Sequence, residues 1–138
     1  MPNMPVNYRS IRDVGLQANL VAPNANATTL SGVIDLGTDR FFPTNERAVL
    51  AVVAPAIANL ANTKTITCTV EDADANLNAN FAALSISGTI TGGASGSAAT
   101  ILRFNLPGTV RRYVRISALG GSAAGTTITE TATVEVLT

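Results

Sequence analysis

Alternation of apolar and polar residues with a period of two is the feature that most constrains the fold of this chain. The clearest run is TKTITCTVE (63–71), in which Ile66, Cys68 and Val70 alternate with threonines. Successive side chains of a β-strand point to opposite faces of the sheet, so this run predicts a strand with one buried face.

Less regular runs of the same kind recur along the rest of the chain. They occupy residues 14–21, 30–37, 47–54, 81–90, 100–106, 110–117 and 126–137. Segments rich in Gly, Pro, Asn and Asp separate them, as is typical of turns. The sequence therefore predicts an all-β protein with about eight strands, arranged as a sandwich, a jelly roll or a barrel.

The length of 138 residues fits a single sandwich domain, which we assign to residues 13–138. Residues 1–12 lack both a period and apolar density, and we interpret them as an extended N-terminal arm. Two interpretations of this arm remain open, a frayed terminus or a segment that becomes ordered on a neighbouring subunit.

The overall charge gives no reason to expect a nucleic-acid or membrane partner. Nine basic residues balance nine acidic ones, so no net field attracts polyanions. The sequence contains neither a signal-peptide pattern nor an apolar run long enough for a membrane span. The single cysteine, Cys68, excludes an intrachain disulfide, which predicts a reducing compartment.

The sequence contains few residues that could carry out catalysis or bind a metal ion. The chain has no histidine, which removes the commonest general base and most zinc sites. The segment EDADANLNAN (71–80) alternates Asp72, Asp74 and Asn76 like a calcium loop, but Leu77 and Ala83 occupy the positions that need Gly and Glu. We expect no enzyme activity, cofactor, metal or small-molecule substrate, and interpret 71–80 as a polar turn after a strand that ends near Val70.

Three of the nine basic residues lie within LPGTVRRYVRIS (106–117). Strand parity predicts that Arg111, Tyr113 and Arg115 form one outward row and that Arg112 lies on the other face. The row is open to two interpretations, a solvated face or a protein interface, since Arg and Tyr are enriched at interfaces. Eight of the nine basic residues are Arg, which favours fixed bidentate contacts with carboxylates over a diffuse field.

Three segments together resemble the small jelly-roll cement, or decoration, proteins of tailed-bacteriophage capsids. They are SGVIDLG (31–37), TKTITCTVEDADANLNANFAAL (63–84) and LRFNLPGTVRRYVRISA (102–118). The resemblance covers roughly residues 28–138, and it depends on the order and spacing of the segments. The turn within 71–80 is longer and richer in Asn than is usual in such proteins, and the arm lies outside the match.

The resemblance implies an antiparallel β-sandwich of jelly-roll type. It also implies a structural virion protein that binds the outside of an icosahedral capsid and bridges neighbouring major capsid protein subunits. The expected partners are the major capsid protein and further copies of the chain, as a homodimer or homotrimer. In addition to the row, we predict Arg9 and Arg12 of the arm as interface residues. Phe41 and Phe42 are predicted either as interface residues in a loop that anchors a neighbour or as an apolar plug at one end of the sandwich. The alternatives are a binding head or adaptor of a phage tail or fibre and, less consistent with the lack of histidine, a hydrolase on a jelly roll.

Overall fold

Two antiparallel β-sheets, packed face to face, make up the computed structural model, which describes residues 16–37 and 48–137. The strands are numbered in chain order. They are β1 (Gln17–Val21), β2 (Thr28–Leu30), β3 (Ile34–Asp35), β4 (Val49–Ala54), β5 (Thr65–Ala73), β6 (Ala82–Thr91), β7 (Thr100–Asn105), β8 (Tyr113–Gly120) and β9 (Thr131–Leu137). A short 3₁₀ turn, Asn78–Asn80, lies between β5 and β6.

The strand order mixes distant parts of the chain. One sheet has four strands in the order β1-β9-β4-β7. The other has the order β2-β8-β5-β6, with β3 also paired to β8 beside β2. Consequently β5 and β6 form a hairpin within one sheet, whereas the connections from β3 to β4 and from β4 to β5 pass between the sheets.

The core lies between the facing sides of the sheets. Ile66, Cys68 and Val70 of β5 are all buried, as their alternation with threonine predicts. The larger apolar residues that face them from the four-stranded sheet are Leu20, Leu50, Val52, Phe104, Val134 and Val136. The five-stranded sheet also contributes Val114, Ile116 and Ala118 of β8, and loop residues such as Ile57 and Leu60 extend the core.

The prediction of an all-β antiparallel sandwich is confirmed, and each of the eight predicted runs overlaps a strand. The run 30–37 is interrupted, because pairing with β8 is divided between β2 and β3. Between them Ser31 Oγ accepts a hydrogen bond from the Ile116 N–H at 2.9 Å, replacing a backbone partner. The predicted arm, residues 1–12, lies outside the described residues, and the jelly-roll subtype stays a prediction.

Two strand boundaries differ from the sequence prediction. β5 continues past Val70 to Ala73, so Glu71 and Asp72 lie on a strand and not in a turn. β8 begins at Tyr113 and not at Val110, so Arg111 and Arg112 precede it. Both differences move charged residues into the cluster described next. Within residues 16–37 and 48–137, no helix is long and apolar enough to cross a membrane.

Candidate functional site: an arginine–carboxylate cluster

The three arginines at the start of β8 each bind a different carboxylate. Arg111 pairs with Asp72, Arg112 with Asp35 and Arg115 with Glu71. The carboxylates come from the end of β5 and from β3, the two strands that flank β8 on opposite sides. We call these six residues, together with Asn78 and Phe81, the arginine–carboxylate cluster.

Arg111 closes over a buried carboxylate. The Asp72 side chain is only 4% exposed, because it lies on the same face of β5 as the buried Ile66, Cys68 and Val70. Arg111 donates to Asp72 Oδ1 from Nε at 3.1 Å and from Nη2 at 2.9 Å, while its backbone N–H donates to Oδ2 at 2.9 Å. Nη2 also donates to the Asp72 carbonyl oxygen at 2.7 Å. The hydrogen bonds with Asp72 raise the pKa of Arg111 above its ordinary value, so the guanidinium stays charged.

Arg112 and Asp35 form a more exposed pair. Arg112 Nε and Nη2 donate to the two Asp35 oxygens, each at 2.8 Å, in the bidentate geometry that guanidinium favours. The Arg112 hydrogen bonds, aided by the Gly37 N–H that donates to Oδ1, lower the pKa of Asp35 to about 2. Arg112 Cζ also lies 4.9 Å from the centroid of the Tyr113 ring.

Arg115 is the most enclosed of the three arginines. Its side chain is 10% exposed, and Nε donates to Glu71 Oε1 at 2.7 Å. Glu71 is directly opposite Arg115 in the ladder between β5 and β8, where opposite charges stabilise a sheet. Nη1 donates to Asn78 Oδ1 at 2.8 Å, and the guanidinium carbon lies 4.0 Å from the Phe81 ring centroid. The side chain is thus held on three sides.

The expected free row of Arg111, Tyr113 and Arg115 is therefore not formed. Arg111 precedes the strand and turns to Asp72, and Arg115 is covered by Phe81 and Asn78. Tyr113 is half-buried and lies beside Arg112. A role for these three residues in protein contacts stays a prediction. The other predicted interface residues, Arg9, Arg12, Phe41 and Phe42, lie outside the described residues.

Asn78 and Phe81 belong to the cluster, although the sequence pattern predicts neither of them as a site residue. Phe81 does begin the FAAL part of the segment 63–84, but its pattern alone does not indicate an arginine partner. Asn78 lies in the 3₁₀ turn that was interpreted only as part of a polar loop. Phe81 directly precedes β6, which only β5 separates from the arginine-bearing β8, and an aromatic residue so placed is the signal that could identify the contact.

The geometry of the cluster also bears on the calcium-loop alternative. Both carboxylate oxygens of Asp72 accept hydrogen bonds from Arg111, so the arginine occupies the place that a cation would need. Asp74 accepts a hydrogen bond from Asn80 at 3.4 Å. Within the described ranges, no group of three or more Cys, Asp or Glu residues is arranged to hold a metal ion.

Cys68 and the space around it have the properties of a core. Burial raises the pKa of the Cys68 thiol to about 11, so the nucleophilic thiolate is disfavoured. The gap between the sheets that Leu20, Val52, Cys68 and Ala118 line has a cavity volume of about 10 Å³. That is room for about one water molecule, far below the size of a ligand pocket.

A second surface of interest is the outer face of the five-stranded sheet, next to the cluster. Two cross-strand rows of uncharged residues span β2, β8, β5 and β6 there, and we call them the threonine face. The rows are Thr28, Leu119, Thr67, Thr89 and Leu30, Ser117, Thr69, Ser87. Leu30 and Leu119 are 45% and 48% exposed, so the two rows present apolar side chains and contain no charged residue.

In comparisons with known proteins, no protein-family model and no curated protein matches the chain. A functional assignment therefore depends on the geometry described above.

Proposed function

We propose that this chain is a structural virion protein, a cement or decoration protein that binds the outside of an icosahedral phage capsid. In this role it bridges neighbouring major capsid protein subunits and stabilises the shell. It is made in the host cytoplasm and acts without a catalytic step. Many modest contacts, repeated over the shell, add up to a large resistance to internal pressure.

The observation that carries the proposal is the meeting of the three resemblance segments in one cluster. SGVIDLG supplies Asp35, the segment 63–84 supplies Glu71, Asp72 and Phe81, and LRFNLPGTVRRYVRISA supplies the arginines. Segments that are far apart in the chain thus have a common structural reason to occur together. This supports treating their order as a signature of one fold, and hence of the cement proteins that the chain resembles.

The strand order supports the jelly-roll assignment. If β2 and β3 count as one interrupted strand, eight strands form two sheets of four. Every connection except the β5–β6 hairpin then passes from one sheet to the other. Two sheets joined in this way are typical of jelly rolls, which combine eight strands and two Greek keys.

The threonine face is the surface that we propose for capsid contact. The centres of protein interfaces are depleted of charged residues, and this face joins polar Thr and Ser to the exposed Leu30 and Leu119. The arginine–carboxylate cluster lies at one end of the face, since Arg115 and Glu71 form the next cross-strand row after Ser117 and Thr69. The cluster links β3 and β5 to the start of β8, so the surface that contacts the capsid is rigid.

The test is the number of copies per purified virion, measured by quantitative mass spectrometry for the wild type and two variants. We expect wild-type copies comparable in number to the major capsid protein. Leu119→Asp should reduce them at least about tenfold, because the carboxylate would be buried in the contact without a partner. Ile101→Asp is the matched control, since Ile101 is 46% exposed and lies on β7, a strand of the other sheet.

Each other outcome of this experiment has a definite meaning. A few wild-type copies per particle would indicate a tail or fibre component, and absence from the virion would reject both roles. Full occupancy by a folded Leu119→Asp variant would show that the threonine face does not contact the capsid. Thermal unfolding of both purified variants confirms that their folds are intact.

A further inference from the structure

We propose that the open edge of β6 pairs with β6 of a second copy of this chain. The two strands run antiparallel, and the two five-stranded sheets join into one across a twofold axis. This inference goes beyond the proposed function by naming an interface for the self-association that the resemblance implies. It depends only on the isolated chain, so its test is separate from the virion measurement.

The hydrogen-bond pattern identifies which groups of β6 face the open edge. In an antiparallel ladder, alternate residues bond to the strand on one side. Gly121 N–H donates to Thr65 O on the β8 side, and Gly92 N–H donates to Lys64 O on the β6 side. The same alternation along the register makes Ile90 and Gly88 the residues of β6 that bond to β5. The N–H and C=O groups of Ser87, Thr89 and Thr91 therefore point to the open edge, where no described strand pairs with them.

The two edges on the opposite side of the sandwich are closed. Gly32 N–H donates to Asn19 O at 3.2 Å, and Thr29 Oγ1 donates to Val21 O, so β1 is bonded to the segment that contains β2. β2 and β3 are only three and two residues long. Short strands and covered edges are the devices by which proteins prevent unwanted strand pairing.

At the fourth edge, β7, a charged residue disfavours pairing with another strand. Its sequence is TILRFN, with the exposed Arg103 near the middle. Pairing with another β7 would bring two guanidinium groups together, which is unfavourable. β6 differs from β7 because its ten residues, AALSISGTIT, include no charge and no proline. It is the one edge of the described sheets that is long, uncharged and unbonded.

The regular part of β6 fixes the expected register. The pairing with β5 shifts between Thr69 and Glu71, and Ser85 there has a positive φ of 60°. This bulge leaves Ser87–Thr91 as the straight run, whose central residue is Thr89. A twofold axis at Thr89 pairs Thr89 with its own copy and Ser87 with Thr91, and such Thr and Ser pairs stabilise antiparallel sheets.

The contact is expected to be weak for the free chain. A seam between two short runs is smaller than the roughly 800 Å² per partner of a standard stable interface. We therefore expect a dimer that forms as concentration rises and is reinforced where copies crowd on a common surface. The isologous geometry closes at two copies, because each copy has a single open β6 edge.

Sedimentation of the purified chain across micromolar to millimolar concentrations tests this. The wild type should pass from a 14.1 kDa monomer to a dimer. Thr89→Lys should raise the dimer dissociation constant about tenfold or more, because the axis would place two ammonium groups opposite each other. Asn19→Lys is the matched control, since it adds the same charge to the exposed face of β1.

Amide hydrogen exchange gives a second readout that does not depend on a variant. The amides of Ser87, Thr89 and Thr91 should exchange quickly in the monomer and slow down as the protein is concentrated. A wild type that stays monomeric at millimolar concentration would overturn the proposal. So would a dimer that Thr89→Lys leaves unchanged, or one in which these three amides gain no protection.

Discussion

Arg115 combines three contacts that a solvent-exposed arginine on a sheet does not usually have together. It pairs with Glu71 across the strand, donates to Asn78 and lies over the Phe81 ring. A charge placed in such an enclosed position must keep its partner, because an unpaired buried charge is strongly destabilising. The same contacts make the stability of this end of the sheet sensitive to single substitutions.

We expect Arg115→Met to lower the free energy of unfolding by about 3 kcal/mol, since the apolar stem is kept while Glu71 loses its cation. Glu71→Gln should cost less, because Asn78 and Phe81 still hold the guanidinium. The double variant should be at least about 1 kcal/mol more stable than the sum of the single losses predicts. Chemical denaturation of the four proteins measures this coupling.

Arg103→Met is the control for the double-variant cycle. Arg103 is exposed on β7, so its replacement should change the free energy of unfolding by less than about 0.5 kcal/mol. Additive losses for Arg115→Met and Glu71→Gln would mean that the two side chains do not stabilise each other.

Asp35 gives the cluster a dependence on acid pH. Its pKa is lowered to about 2, so the folded protein holds the ionised form below the ordinary value of 3.8. A lowered pKa stabilises the fold above the unfolded-state value, and this contribution is lost as pH falls from about 4 to about 2. An NMR titration should find the Asp35 carboxyl group at about 2 in the wild type.

Arg112→Gln should move the pKa of Asp35 back toward its ordinary value, although the Gly37 N–H still lowers it in part. Arg103→Gln should leave the titration unchanged, because this arginine does not contact Asp35. A wild-type Asp35 that titrates at its ordinary value would contradict the bidentate pair with Arg112.

At the scale of elements, alternation was sufficient to predict the buried side of β5 but not where the strand ends. The charged residues Glu71 and Asp72 look like the start of a turn in the sequence. They extend the strand because β8 opposes them with Arg115 and Val114, and Arg111 caps the Asp72 carboxylate. The partners of Asp72 and Glu71 lie 39 and 44 residues further along the chain. A rule based on neighbouring residues therefore cannot predict where this strand ends.

The sequence pattern predicts that β8 begins at Val110, whereas the strand begins at Tyr113, and the reason is related. Parity was extended through Arg111 because Val110 and Val114 fit one apolar face. The chain instead makes a turn, in which the Val110 N–H donates to Pro107 O, and the Arg111 N–H donates to the Asp72 carboxylate. Parity within the strand itself was correct, since Val114 and Ile116 are buried. A side-chain acceptor can thus replace a ladder partner without any trace in the apolar pattern.

At the scale of the whole molecule, β9 holds the four-stranded sheet together. It lies between β1 and β4 and pairs with both of them. The contact of Gln17 with Glu135 joins residues 118 positions apart. Closing so long a loop costs conformational entropy before the strand contacts compensate for it, so this topology folds slowly compared with one built from local contacts.

A chain that ends after Glu130 should therefore fail to fold. It loses the buried Val134 and Val136, each worth about 1.5–3 kcal/mol of apolar burial, and β1 and β4 both lose a strand partner. The combined loss is comparable with the entire stability of a small domain, which is about 5–15 kcal/mol. A chain that ends after Leu137 keeps all of β9 and is the control. Dispersed amide resonances and a cooperative thermal transition should be present in the control and absent from the shorter chain. A cooperative transition in the shorter chain would show that β9 is dispensable and that the remaining strands bury a sufficient core without it.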